Sequence, residues 1–285
     1  MAAELPRGRR LAVLGSPIAH SLSPTLHRAA YGALGLDWTY EAIEMTGDGI
    51  ADFVRALRDP WRGLSLTMPL KRDVIPALDG IDRVARLTNA VNTVLRADDG
   101  RLLGFNTDVA GIVRALGERG VGEVGRAVLV GAGATATSAL VAIAELGADR
   151  VDVYARTPAK ADGLVALGPE LGVDVRALPL AGLADAGPAS LAVGCLPGGT
   201  APGVRVDEAL VASSTLFDVV YAPWPTATSS IWSDASRPVI SGLPMLLHQA
   251  LVQVRIFAFG DPGAQLPDEA AVLAAMRHAL DDMGG

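Results

Sequence analysis

The chain has 285 residues, which is more than one average domain needs and favours two domains. Hydrophobic residues make up 50% of it and charged residues 19%, so we expect packed cores and no global disorder. The formal net charge of −7 argues against non-specific binding to nucleic acid, which needs a basic face. The single cysteine, Cys195, excludes an internal disulfide framework.

One uncharged stretch, residues 127–144, approaches the length of a membrane span. Glycines and hydroxyl side chains interrupt it, so a strand, a glycine turn and a helix explain it better. The first ten residues lack the apolar segment of a secretory signal. We therefore expect a cytoplasmic protein without a membrane segment.

Predicted strands and helices alternate along the first hundred residues. The apolar residues 11–14 predict a buried strand that ends in a turn. Ser23-Pro24 predicts the start of a helix, with the serine as its cap and the proline at the first helical position. The next predictions are a strand over 39–45, a helix over 50–57, a strand over 64–67 and a hairpin formed by 91–95 and 102–103.

The alternation restarts after residue 107, in a rhythm typical of a doubly wound parallel sheet. Helices are predicted over 109–116, from the glycine turn to 146, over 243–259 and over 268–283. Strands are predicted over 127–130, 151–154, 191–194, 216–220 and 238–240.

A glycine turn, V-L-V-G-A-G-A-T-A at 128–136, lies between a predicted strand and a predicted helix. Two glycines allow the backbone to approach a pyrophosphate, and Ala136 takes the third, close-packing position of a G-x-G-x-x-A pattern. The N–H groups at the start of the helix would face the anion. The pattern predicts dinucleotide binding; the alternative is a turn that binds nothing. The residues concerned are Gly131, Ala132, Gly133, Ala134 and Thr135.

The next predicted strand indicates which dinucleotide binds. An NAD site usually has an acidic residue at the end of this strand, whereas here Asp152 lies inside it and Arg156 follows it. Arginine and lysine pair with a 2′-phosphate, so the sequence predicts NADP(H). The alternative is that these are solvated loop charges. The predicted contacts are Ala155, Arg156, Thr157 and Lys160.

Four short polar motifs lie near predicted strand ends in the first hundred residues, at 16–24, 65–71, 89–93 and 104–108. Open α/β sheets bind ligands at the carboxyl ends of their strands. The motifs supply hydroxyls, amides, an ammonium and a carboxylate, a set that suits a small polyhydroxylated acid.

Each of these residues also has a structural explanation. Ser23 is explained by capping, Lys71 by an exposed surface position, and Asp108 by the dipole at a helix start. His20 and His27 lack the carboxylate or cysteine partners of a zinc-like set, so we expect no metal.

Eight motifs in order make the chain resemble the shikimate dehydrogenase family along nearly its whole length. They lie at 15–24, 66–71, 90–93, 104–108, 131–136, 155–161, 218–221 and 242–249. The resemblance implies an α/β fold with two domains and a cleft between them. It places a substrate domain over 1–107, a Rossmann-type NADP domain over 108–240, and C-terminal helices over 241–285 that return to the first domain.

The resemblance also implies an activity, the NADPH-dependent reversible reduction of 3-dehydroshikimate to shikimate. Lys71 and Asp108 would be the catalytic pair. The substrate would be bound by Ser21, Ser23, Ser65, Thr67, Asn92, Tyr221 and Gln249. Val219, Gly242 and Met245 would line the nicotinamide side. The implied partners are this small molecule alone, with no nucleic acid or membrane, in a monomer or homodimer.

The sequence departs from the family pattern at three places. Ser65 stands where the family often has asparagine, so we expect a weaker or water-mediated substrate contact. Ala155 replaces an asparagine near the adenine ribose, and residues 194–197 replace an N-A-T-S segment on the nicotinamide side. Two alternatives stay open: a quinate/shikimate dehydrogenase that uses NAD, and a protein that binds shikimate or NADP without turnover.

Overall fold

The computed structural model describes residues 7–197 and 202–282, which form two compact units. The first contains the residues up to Thr107 and those from Leu246 onward, and the second is Asp108–Met245. The second unit is therefore inserted into the sequence of the first. Each unit has its own sheet, and the predicted α/β fold is confirmed.

The first unit is built on a mixed sheet of six strands in the order β2-β1-β3-β5-β6-β4. Strand β1 is parallel to both of its neighbours, whereas β5 is antiparallel to β3 and β6. Strands β5 and β6 form the predicted hairpin. In chain order the elements up to residue 107 are β1 (Arg10–Gly15), α1 (Ser23–Ala33), β2 (Thr39–Glu44), α2 (Ile50–Arg55), β3 (Trp61–Leu66), α3 (Leu70–Asp73), β4 (Gly80–Ile81), α4 (Arg83–Thr88), β5 (Thr93–Arg96) and β6 (Leu102–Phe105).

Every residue of β1 after Arg10 is buried, as expected for a parallel strand that is covered on both faces. One face of the sheet packs against α2 and α3 in an apolar cluster that includes Leu14, Ile50, Leu64 and Leu70. This cluster anchors the start of α3, which carries Lys71, against the sheet.

The second unit holds a parallel sheet of six strands in the order β12-β11-β10-β7-β8-β9. The strand order reverses between β7 and β10, where doubly wound sheets bind ligands. The elements are α5 (Asp108–Glu118), β7 (Arg126–Val130), α6 (Ala134–Glu145), β8 (Arg150–Ala155), α7 (Asp162–Leu171), β9 (Asp174–Pro179), β10 (Leu191–Gly194), α8 (Glu208–Ser213), β11 (Thr215–Asp218), α9 (Ala227–Asp234) and β12 (Val239–Ile240).

The chain closes with α10 (Leu243–Phe259) and α11 (Glu269–Asp281). From Leu246 onward both helices belong to the first unit. Helix α10 packs closely on β3: a Cβ added at Gly63 would lie only 2.6 Å from the Phe257 ring, so the contact requires glycine at this position. Helix α11 packs on α1, and Arg255 of α10 donates a hydrogen bond of 2.7 Å to Glu269.

The prediction that Ser23 caps α1 is wrong. The helix already begins at Ser23, its N-cap is Leu22, and no side chain caps it. A tight turn precedes the helix, in which Ser21 N–H donates to Ile18 O at 3.0 Å. The Ser21 hydroxyl accepts the Ser23 N–H at 3.3 Å within this turn. Pro24 is consequently the second helical residue.

Candidate active site

Backbone hydrogen bonds join the first polar motif to the second. Ser16 N–H donates to Met68 O, and Thr67 N–H donates to Leu14 O, both at 2.9 Å. Gly15 makes this approach possible, since a Cβ there would lie 2.3 Å from the Thr67 methyl group. The residues after β1 and those after β3 are thus held side by side.

The third and fourth motifs join the same cluster. Leu66 N–H donates to Asn92 O at 2.8 Å, and Asn92 N–H donates to Phe105 O at 3.0 Å. Val91 N–H donates to Lys71 O at 2.8 Å, which fixes the backbone of the short helix that carries the lysine. The structure therefore brings the four motifs of the first unit together.

The Asn92 side chain, which is 2% exposed, is held from several directions. Its Oδ1 accepts the Thr93 hydroxyl at 2.8 Å and the Thr107 N–H at 2.9 Å, and its Nδ2 donates to Thr107 Oγ1 at 2.9 Å. The Thr107 hydroxyl also lies 3.4 Å from Gln249 Oε1. Gln249 Nε2 donates to Leu246 O at 2.8 Å, so both predicted amides are fixed before any ligand binds.

Ser65 is buried in a second polar group next to Asn92. Its hydroxyl accepts from Tyr40 at 2.6 Å and donates to Gln253 Oε1 at 2.8 Å. His27 contacts the same Oε1 through Nε2 at 3.1 Å, and its Nδ1 lies 3.1 Å from the Tyr31 hydroxyl. Burial lowers the pKa of His27 from 6.5 to about 3, so the imidazole is neutral.

The remaining predicted residues of the first unit differ in exposure. Ser23 is buried, whereas Ser21, Thr67 and Lys71 are half-buried. Asp108, the first residue of α5 and of the second unit, is 4% exposed. A carboxylate at this position is stabilised by the helix dipole.

The glycine turn has the geometry of a dinucleotide-binding turn. Gly131 has a φ of +117°, and a Cβ there would lie 2.9 Å from the Cys195 carbonyl oxygen. By contrast, a Cβ at Gly133 would meet nothing within 4 Å, so this side of the turn is open. Ala136 is fully buried, as its close-packing position predicts. No side chain caps α6, which leaves the N–H groups of its first turn for a ligand.

Asp152 of β8 is committed to two arginines. Its side chain is fully buried. Oδ2 accepts a hydrogen bond from Arg126 at 2.9 Å, and Oδ1 accepts one from Arg150 at 3.0 Å. This ion-pair cluster occupies both carboxylate oxygens. The carboxylate inside the strand is therefore engaged in holding β7 and β8 together.

The carboxyl end of β8 carries cationic side chains. The strand ends at buried Ala155, and the exposed residues Arg156, Thr157 and Lys160 follow. Lys160 N–H donates to Thr157 O at 3.0 Å, in a short 3-10 helix over Pro158–Ala161. An exposed guanidinium and ammonium at this place can receive a phosphate group.

A second buried carboxylate, Asp218, lies at the end of β11. It accepts from the Thr226 hydroxyl at 2.7 Å and from Val220 N–H at 3.1 Å, and burial raises its pKa. Thr226 also forms a capping box with Ser229 at the start of α9. Asp218 and Thr226 line a small recess at the ends of β7, β10 and β11, together with Val130, Gly194, Leu196, Pro197, Val220 and Thr228.

The residues that the sequence assigned to the nicotinamide side are tightly packed within the second unit. Val219 N–H donates to Gly194 O, and Gly242 N–H donates to Val220 O, both at 3.0 Å. A Cβ at Gly242 would lie 2.0 Å from Val219 O, so no other residue fits there. Tyr221 directly follows Val220 in the sequence, and burial raises its pKa. Met245 is buried, with 8% of its surface exposed.

Four further residues hold the polar cluster without having been predicted to do so, namely His27, Tyr40, Thr107 and Gln253. One signal was available for the last of them. Gln253 lies four residues after Gln249, so the two amides lie on one face of an otherwise mostly apolar helix. For His27 the local sequence offers one signal, since Tyr31 lies one turn later on the same helix. The other two ring partners, Tyr40 and Phe257, lie on β2 and α10, and nothing near His27 in the sequence indicates them.

Across the described ranges, 7–197 and 202–282, no helix is long and apolar enough to cross a membrane. In the same ranges, no three or more His, Cys, Asp or Glu side chains form a group that could hold a metal ion.

Comparisons with known proteins show one family along the chain. Residues 13–94 match the family model of the shikimate dehydrogenase substrate binding domain. The shikimate dehydrogenase (NADP(+)) of Rubrobacter xylanophilus is 36% identical over 281 residues, which are 95% of each chain.

Two solved structures extend the similarity to the fold. The shikimate dehydrogenase of Mycobacterium tuberculosis has a TM-score of 0.81 and 38% identity, over 95% of this chain and 100% of that one. The enzyme of Thermus thermophilus, solved in complex with NADP(H) and shikimate, has a TM-score of 0.79 and 33% identity, over 95% and 100% of the two chains.

Proposed function

Since the chain belongs to the shikimate dehydrogenase family, we propose that it catalyses the reversible, NADP-dependent reduction of 3-dehydroshikimate to shikimate. The observation that carries the proposal is the extent of the relationship, which covers 95% of this chain and of its Rubrobacter relative. Both the cluster around Asn92 and the glycine turn fall within it.

The fit to NADP(H) rests on the second unit. Gly131, Ala132, Gly133, Ala134 and Thr135 would receive the pyrophosphate on backbone N–H groups. Ala155, Arg156, Thr157 and Lys160 would surround the adenine ribose, with the two cations on the 2′-phosphate. Asp152 cannot serve as the acidic residue of an NAD site, because two arginines occupy it. Val219, Gly242 and Met245 would face the nicotinamide.

The substrate would be bound by hydroxyls and amides. Shikimate carries a carboxylate and three hydroxyls, which need both donors and acceptors. The proposed residues are Ser21, Ser23, Ser65, Thr67, Asn92, Tyr221 and Gln249. The side chains of Ser65, Asn92 and Gln249 are fixed by buried hydrogen bonds, so little conformational entropy is lost when the ligand is bound.

Lys71 and Asp108 are the proposed catalytic residues. When bound, NADPH supplies the hydride that the ketone carbon accepts. Negative charge then develops on the ketone oxygen, where the Lys71 ammonium would stabilise it and deliver a proton. Asp108 would accept a hydrogen bond from the neighbouring substrate hydroxyl and so orient the ring. In the reverse reaction the same residues help remove the alcohol proton.

The finer assignments are also part of the proposal. We place the reaction in the cytoplasm, where NADP(H) is available, and expect the chain to act as a monomer or homodimer with a small-molecule partner alone. The formal charge of −7 supports the absence of nucleic acid. Light scattering of the purified chain measures its oligomeric state.

The decisive experiment follows nicotinamide absorbance with the purified protein and four pairs of reactants: shikimate or quinate, each with NADP or NAD. Reduction of NADP by shikimate, much faster than in the other three mixtures, is the expected result. Preference for quinate or NAD would instead identify the quinate/shikimate dehydrogenase alternative. Binding of shikimate without turnover in any mixture would identify a non-catalytic binding protein.

A further inference from the structure

The Gln253 amide has all four of its hydrogen-bonding positions filled, although only 2% of the residue is exposed. Its Nε2 donates to Thr93 Oγ1 at 2.9 Å and to Asn92 O at 3.2 Å. Its Oε1 accepts from Ser65 Oγ at 2.8 Å and contacts His27 Nε2 at 3.1 Å. One side chain of α10 is therefore bonded to α1, β3, β5 and the residue before β5.

The surroundings permit one orientation of this amide. The Asn92 backbone carbonyl can only accept, so it must face Nε2 of Gln253 and not Oε1. With Oε1 fixed as the acceptor, His27 must carry its proton on Nε2. Nδ1 of His27 then accepts from the Tyr31 hydroxyl. The tautomer of a buried histidine and the orientation of a buried glutamine thus depend on each other.

Aromatic packing keeps His27 in this state. Its ring stacks on Tyr40 with centroids 4.0 Å apart and an interplanar angle of 8°, and Phe257 lies at 5.9 Å. The side chains of Tyr31, Tyr40, Gln253 and Phe257, which bond to the ring or lie beside it, are all neutral. A neutral imidazole with Nε2 as donor is the form that this environment accommodates.

The network reaches two residues of the substrate site. Gln253 bonds directly to Ser65 and to the backbone of Asn92. Through the Thr93 hydroxyl, which donates to Asn92 Oδ1 at 2.8 Å, it also restrains the Asn92 side chain. Gln249 lies one turn earlier on the same helix and approaches the Thr107 hydroxyl that Asn92 also contacts.

We propose that Gln253 is a positioning residue for substrate binding, and that neutral His27 holds its amide in the orientation that fixes Ser65 and Asn92. The proposal rests on the proposed function, because it concerns the affinity for shikimate. It also explains the serine at position 65, since this hydroxyl is short enough to bridge Tyr40 and Gln253.

The test replaces Gln253 by an apolar side chain of similar length, Gln253→Met, and measures steady-state constants with shikimate and NADP. The KM for shikimate should rise about tenfold, because buried partners lose their hydrogen bonds and the Asn92 amide is less restrained. The kcat should stay within about threefold, and the KM for NADP should not change, because Gln253 has no role in proton transfer or cofactor binding.

A second variant, Gln253→Glu, gives a test with a spectroscopic readout. A carboxylate cannot donate to Thr93 or to the Asn92 carbonyl, and its charge favours the imidazolium form of His27. The ¹⁵N chemical shifts of His27 should report the neutral Nε2-protonated tautomer in the parent and the doubly protonated ring in Gln253→Glu. The KM for shikimate should rise at least as much as in Gln253→Met.

The matched control is Arg255→Met on the same helix, which removes a buried polar side chain bonded to Glu269 and to Pro262 O. This variant should lower Tm and leave the KM for shikimate unchanged. An unchanged KM in folded Gln253→Met would show that Gln253 is merely structural. A parent His27 that is protonated on Nδ1 would overturn the assigned orientation.

The same measurements distinguish a failure of the proposed function from a failure of the positioning role. A parent that neither binds nor oxidises shikimate, while His27 shows the expected tautomer, would refute the function and with it the role of Gln253 in binding. An active parent whose KM does not respond to either Gln253 variant would refute the positioning role alone.

Discussion

The two units differ in how the groups proposed to bind their ligands are held in place. In the first unit, the buried side chains of Ser65 and Gln253 bond to each other, and Gln253 also donates to the Asn92 backbone carbonyl. The Asn92 side chain is held by Thr93 and Thr107. In the second unit, the turn proposed to bind the nucleotide has glycine at two positions, and the buried carboxylate Asp152 bonds to two arginines. In the proposed function, the first unit binds its ligand through oriented side chains, and the second binds its ligand through backbone N–H groups. Their responses to substitution should differ accordingly.

The largest effect on activity is expected at Lys71, whose replacement should affect the chemical step and not substrate binding. Lys71→Met should lower kcat by about 10²–10⁴-fold, because a positioned acid typically contributes that much. The dissociation constant for shikimate, measured by calorimetry, should change much less. A rate within a few-fold of the parent would remove Lys71 from the catalytic pair.

Arg156 tests the charge at the end of β8. Arg156→Ala should raise the KM for NADP by about 10–100-fold, since hydrogen bonds to a charged phosphate are among the strong ones. The kcat/KM for NAD should stay nearly constant, because NAD lacks the phosphate. Arg176→Ala, at an exposed arginine of β9 that pairs with Asp174, is the control and should change neither value. Equal losses with both cofactors would contradict the assignment of Arg156.

His27 tests the polar network through the pH dependence of stability. Its folded pKa of about 3 lies below the ordinary 6.5, so the unfolded chain binds more protons in this window. The stabilisation is complete above pH 6.5 and is lost as the pH falls towards 3. About 2 kcal/mol of the free energy of unfolding should disappear by about pH 5.

Urea unfolding at several pH values measures this loss. In His27→Gln the difference between neutral and acid stability should shrink by the same amount, whereas His20→Gln, at an exposed position, should behave like the parent. Parallel pH profiles for the parent and His27→Gln would contradict the buried neutral state of His27.

The smallest effects are expected at the two glycines of the turn, where two alanine variants should differ in Tm. At Gly133 a Cβ has open space, so Gly133→Ala should leave Tm unchanged and raise the KM for NADP about fivefold to tenfold by crowding the pyrophosphate. Gly131→Ala should also lower Tm, because Gly131 has a positive φ and close contact with Cys195. A fall in Tm in Gly133→Ala would show that its side of the turn is not open.

Features with a local physical signature could be predicted from the sequence. The apolar run of β1, the hairpin of β5 and β6 and the glycine turn before α6 follow from short-range patterns. The cap of α1 was predicted wrongly, because the turn that precedes the helix makes Leu22 its N-cap and Ser23 its first residue. Helix α3, which carries Lys71, was not predicted, since its four residues are too short for a periodic pattern.

The candidate site was predicted in part. The resemblance named Asn92 as a substrate residue, and the structure supplies Thr93 and Thr107 as the hydrogen-bond partners of its side chain. The bond between Gln253 and His27 was not predicted, because the two residues are 226 positions apart in sequence and their contact depends on packing between α1 and α10. Local patterns do not encode such distant pairs, and the tautomer of His27 becomes predictable only when all partners are known.

The insertion of Asp108–Met245 into the first unit has a consequence for synthesis. A ribosome delivers β1 to β6 first, then the whole of the second unit, and only afterwards the residues of α10 that complete the first. Domains tend to fold as they emerge. The second unit can therefore fold before α10 is synthesised, whereas Ser65 and Asn92 gain their bonds to Gln253 only afterwards. The polar network around Gln253 can form only after the whole of the second unit has been synthesised.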